Sequence, residues 1–141
     1  MENETKPHIQ EEIDFIGEIF GNFLESHDFE VTSASETVIA YANRTFILDF
    51  CFDYRYGRMT FGGMYITVKT TKGRYNLRDL VEHIHPKKKY SAIHAEIKAK
   101  GGIEQRVVNE ILETYLDTTI GAKDTSWEPS LKCALKRKYP Y

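Results

Sequence analysis

The sequence predicts a single α+β domain over residues 1–141: a four-stranded antiparallel meander in order 1-2-3-4, preceded by one helix and followed by three or four more. Three observations predict it. Apolar residues recur every three to four positions from Ile9 to His27, alternate with polar ones through Thr45–Thr70, and return to helical spacing from Leu77 to Leu116. A length of 141 residues with 41% apolar content suits one domain with a sizeable core.

The first helix carries Ile9, Ile13, Ile16, Phe20 and Phe23 on one stripe, widened by Phe15, Ile19 and Leu24, with Glu11, Glu12, Asp14, Glu18 and Glu25 filling the remainder. Pro7 suits its first turn, where a missing N–H breaks no helical bond. Gly17 and Gly21, one turn apart, each disfavour a helix by about 1 kcal/mol relative to Ala, which points to close packing against the sheet.

Phe29–Ser33 and Thr37–Asn43 read as the first two strands, joined by the turn-like Ser33–Glu36. Asn43-Arg44 reads as a two-residue hairpin turn because Asn tolerates the left-handed region. The third strand places Phe46, Leu48, Phe50, Phe52 and Tyr54 on the core face and Ile47, Asp49, Cys51, Asp53 and Arg55 on the other. A four-residue loop at Arg55–Arg58 would put Ile66 and Val68 on the carboxylate face. A bulge at Gly62-Gly63 restores the apolar face, so that Phe50 meets Met64, Leu48 meets Ile66 and Phe46 meets Val68.

Lys72-Gly73 then turns the chain out of the sheet. Asn76 caps a helix with Leu77, Leu80, Val81 and Ile84 buried, which Pro86 stops. Ser91 caps a helix carrying Ile93 and Ile97, broken at Gly101-Gly102. A longer helix carries Ile103, Val107, Ile111, Leu112, Tyr115 and Leu116 and ends near Thr118–Gly121. A loop with Trp127 leads to a short helix opening at Pro129 and a basic tail from about residue 136 to 141. The 103–118 helix and the first helix are expected to pack on the aromatic face.

Chemical motifs are sparse. His83 and His85, two apart on a helix, point in different directions, and no HExxH spacing is present, so no metal site is expected. Asp49 and Asp53 stand roughly 13 Å apart along a strand, too far for a two-metal carboxylate pair. No glycine-rich phosphate loop and no nucleophile elbow occurs, and no cofactor is expected. Cys51 and Cys133 are too few for a disulfide framework and read as free thiols. The apolar runs are too short to span a membrane, and the polar N-terminal tail of about residues 1–7 lacks a basic start and an apolar block, so the expected location is the cytoplasm.

Charge is the informative feature. The formal net charge is −2, yet residues 1–36 hold ten acidic side chains against Lys6 alone, while residues 72–100 hold eight basic against three acidic. Glu11, Glu18 and Glu25 face away from the core stripe and form one candidate contact surface for a cationic partner. The outer sheet face forms a second, with Asp49, Asp53 and Arg55 beside Tyr41 and Tyr65. The alternative reading is nucleic-acid binding through Lys87, Lys88 and Lys89, with Arg74 as a further phosphate contact.

A layout of N-terminal helix, antiparallel meander with the strand LDFCFDYRYGRM, and helices ending ILETYLDTTIGAKDTSW resembles the small bacterial immunity-type proteins that accompany secreted polymorphic toxins. The likeness spans about residues 9–127. It implies a non-enzymatic protein that works by binding, its acidic face covering a toxin's basic, often nucleic-acid-binding, site.

Overall fold

In the computed structural model, which describes residues 7–52 and 64–139, helix α1 (Pro7–Ser26) buries Ile9, Ile16, Phe20 and Phe23. Glu12 departs from expectation: it is fully buried, because it lies three residues after Ile9 and four before Ile16 and so shares their stripe. Gly17 and Gly21 also depart from it. A Cβ at either would meet nothing within 4 Å, so neither serves close packing. Gly17→Ala combined with Gly21→Ala is therefore expected to stabilise the fold by about 2 kcal/mol and raise the melting temperature by about 6 °C, measured by thermal denaturation. No gain would mean that the helix is constrained there in another way.

The sheet has five strands, not four: β1 (Glu30–Ala34), β2 (Val38–Ala42), β3 (Ile47–Phe52), β4 (Met64–Lys69) and β5 (Arg74–Asn76), antiparallel in that order. After Lys72-Gly73 the chain doubles back along β4 before leaving the sheet, with Thr70 N–H donating to the Gly73 carbonyl at 2.9 Å. Three residues are too short a run to read as a strand. What holds them is distant in sequence: Tyr75 packs edge-on to Trp127 with ring centres 5.4 Å apart.

The β2–β3 loop is Arg44-Thr45, one residue later than expected. Asn43 works through its side chain, whose Oδ1 accepts from Thr45 N at 2.9 Å and from Phe46 N at 2.8 Å. In the β3–β4 pair Ile66 and Val68 do face the core, but the partners differ from expectation: Phe52 meets Met64, Phe50 meets Ile66 and Leu48 meets Val68. Shifting a strand by two keeps every side chain on its face, so alternation alone does not select between these registers. The Gly62-Gly63 bulge, Asp53 and Arg55 lie outside the described residues.

The helices α2 (Leu77–Ile84), α3 (Tyr90–Lys98), α4 (Glu104–Ile111), α5 (Asp117–Gly121) and α6 (Glu128–Lys138) follow, with a π-helical turn at Leu112–Leu116 joining α4 to α5. Asn76 caps α2, its Oδ1 accepting from Asp79 N at 2.7 Å. Helix α3 begins at Tyr90, without a side-chain cap from Ser91. Ile103 precedes α4 and is 47% exposed, whereas Val107, Ile111, Leu112 and Leu116 are buried. Helix α1 packs on the aromatic face of the sheet, where the Phe20 and Phe50 rings meet edge-on at 5.0 Å, and α4 packs against α1 and α3 within the same core. The expected basic tail is helical as far as Lys138, whose ammonium reaches Asp79 at 3.4 Å.

Candidate interaction site

Along α1, Glu11, Asp14, Glu18 and Glu25 are all exposed at spacings of three, four and seven residues, which puts them on one face. That stripe is about 21 Å long at 1.5 Å per residue. No Lys or Arg occurs from Pro7 through Asn43, so neither the helix nor the β1–β2 hairpin supplies a compensating cation. Among the described residues neither Glu18 nor Glu25 has a salt-bridge partner. Asp14 accepts from Gln10 Nε2 at 2.9 Å.

At its C-terminal end the stripe reaches a cleft of about 530 Å³ lined by His27, Asp28, Glu30, Asn43, Arg44 and Lys123. Its wall is well fixed. His27 Nε2 lies 2.8 Å from Asp117 Oδ1, the ring leans on Phe23 at 4.7 Å, and Asn43 Nδ2 donates to the His27 carbonyl at 2.8 Å. The sequence reading missed this pairing, because Asp117 is ninety residues away.

The outer sheet face differs from a solvated carboxylate face. Asp49 is only 6% exposed, with Lys69 Nζ at 3.8 Å and Arg74 Nη2 at 4.0 Å. Arg74 lies across the face, Nε donating to Thr67 Oγ1 at 3.1 Å and Nη2 reaching Cys51 Sγ at 3.6 Å. Burial pushes the Cys51 thiol pKa up, an effect that Arg74 partly opposes, so the thiol is not activated. Arg74 thus belongs with Asp49 and Thr67 and not with the lysine connector. Tyr65 is 56% exposed on this face. Tyr41 is not on it: its cross-strand partner is Leu48, and directly paired residues share a face, so Tyr41 enters the core beside Phe50 at 5.3 Å.

Lys87, Lys88 and Lys89 are exposed on the connector between α2 and α3. The neighbouring histidines each bridge to another element: His83 to Ser130 Oγ at 2.7 Å, His85 to the Tyr115 carbonyl at 2.8 Å, and His94 to Glu104 at 2.7 Å. Among the described residues no group of three or more His, Cys, Asp or Glu is placed to hold a metal ion, and no helix is long and apolar enough to cross a membrane. Cys51 is buried and Cys133 exposed, both as free thiols.

Comparison with protein-family models, curated protein sequences and solved structures found no match.

Proposed function

We propose that this protein is a non-enzymatic binding module whose α1 carboxylate stripe receives a cationic protein surface, in the manner of an immunity protein that neutralises a toxin by covering its basic site. The observation that carries this reading is the one-signed exposed face of Glu11, Asp14, Glu18 and Glu25, on a stretch from Pro7 to Asn43 without a Lys or Arg. A field of that kind steers oppositely charged partners and speeds their association. Gly17 stands exposed inside the stripe with open space around it, so a partner can approach the helix backbone closely there. Tyr65 is the second contact in this reading. Asp49 acts behind it by holding Lys69 and Arg74.

The test is capture of a cationic toxin domain encoded beside this gene, followed by calorimetry with Glu11→Lys, Glu18→Lys and Glu25→Lys combined. Reversal of three stripe charges is expected to weaken binding at least a hundredfold, mostly through slower association, with the loss shrinking at high salt. Unchanged affinity would remove α1 as the contact surface.

A further inference from the structure

We propose that a second surface, built where α6 lies along α2 and the β4–β5 turn, binds the phosphate backbone of nucleic acid. The fold assembles it from segments far apart in sequence. Lys132 Nζ donates to the Lys72 carbonyl, His83 meets Ser130, and Lys138 meets Asp79, so α6 is tied to the turn and to both ends of α2. These ties gather Lys72 and Lys132 at the turn and bring Lys136 and Arg137 to the end of α2 that carries Arg78. The lysine connector leaves from the opposite end.

What makes the surface one-signed is the fate of the carboxylates. Residues 70–89 and 127–139 contain three acidic side chains against ten cations. All three acids are engaged by contacts of the fold, Asp79 and Glu128 buried and Glu82 half-buried. Asp79 is buried in the α2 cap, Glu82 accepts from Tyr90 N at 2.7 Å, and Glu128 is buried and accepts from Thr70 Oγ1 and the Tyr75 hydroxyl. Of the cations, Arg74 turns to Asp49 and Lys138 to Asp79. Among the described residues the other eight have no carboxylate partner, and all but the half-buried Lys132 are exposed.

Six of those eight are lysines. Lysine is depleted at protein–protein interfaces, whose centres hold aromatic and apolar anchors, but as a point charge it suits a phosphate. No base-reading motif accompanies the cations, so the contact is with the backbone and independent of sequence. The acidic α1 face has to point away from the bound polyanion, which orients the complex.

Fluorescence anisotropy with a DNA duplex of about 20 base pairs and a single-stranded RNA of about 20 nucleotides, from about 20 to about 200 mM KCl, tests this. Neutralising about five phosphates gives a slope of log affinity on log salt of about −4. Lys87→Ala, Lys88→Ala and Lys89→Ala combined are expected to flatten that slope by about 2 to 3 and lower low-salt affinity at least tenfold. Lys136→Ala with Arg137→Ala should flatten it by about 2, whereas Glu18→Gln with Glu25→Gln should not weaken binding. Response to one oligonucleotide and not the other would support the proposal and assign the strand form. No anisotropy change at low salt with either would overturn it. So would salt-sensitive oligomers in sedimentation without oligonucleotide binding, which would give the surface to the acidic face of a second copy.

Discussion

Glu128→Ala is expected to lower the unfolding free energy by about 3 kcal/mol and the melting temperature by about 10 °C. Glu128 opens α6 and is almost fully buried, and among the described residues no cation pairs with it. Its carboxylate accepts from the Tyr75 hydroxyl and, at 2.5 Å, from Thr70 Oγ1. Alanine would leave both hydroxyls without this acceptor in a site closed by Trp127, and each unmet group costs about 1–3 kcal/mol. The site has little room to relax, since a Cβ on Gly73 would already lie 2.5 Å from the Tyr75 hydroxyl oxygen. Glu128→Gln keeps an acceptor and should recover about half of the loss. Urea denaturation of the two variants beside the parent protein measures both values, and a loss below about 1 kcal/mol for alanine would show that the acceptor is replaceable. Because this contact seats α6, the alanine variant should also weaken oligonucleotide binding without touching a lysine.

Stability should fall steeply between about pH 10 and pH 12, by up to about 4 kcal/mol per pH unit. Three tyrosines drive it. Burial pushes Tyr41 up to about 12, with Asp14 adding to the effect, and burial with Glu104 pushes Tyr90 to about 12. Burial, then the hydrogen bond to Glu128, raises Tyr75 further still. The sign follows from linkage: each phenol is neutral in both states below pH 10, and above it the unfolded chain releases a proton that the folded chain retains. The contribution of these groups is therefore fully present below the unfolded pKa of about 10 and is lost as pH rises through the folded values. Of the nine tyrosines in the chain, these three should ionise late and together with unfolding, as followed by ultraviolet absorbance. Tyr90→Phe should reduce the slope by about 1.4 kcal/mol per pH unit. Stability that stays flat to pH 11 would show that these rings reach solvent without unfolding.

Local periodicity made much of this fold legible. The 3.6-residue stripe of α1, the alternation of β3, the Asn76 cap and the exposed carboxylates at Glu11, Glu18 and Glu25 all depend on residues within a turn or a strand of one another. Glu12 was misread, because its charge set it with the polar residues, whereas its place three residues after Ile9 turns it inward.

Partners separated by tens of residues were not legible, because burial and pairing there depend on which segments meet. Strand β5 forms because Tyr75 finds Trp127 and Glu128, more than fifty residues later. Two registers of β4 share one face, so the alternation of apolar residues does not choose between them. Sequence alone determined the α+β class, the apolar stripe of α1, the alternation of β3 and the acidic stripe. Only the tertiary structure decided that Asp49 is covered on the outer sheet face by Lys69 and Arg74, and that Asp79, Glu82 and Glu128 are engaged within the fold while most of their cationic neighbours stay in solvent. The reason is physical: a charge in sequence becomes a surface charge only when the fold leaves it no partner.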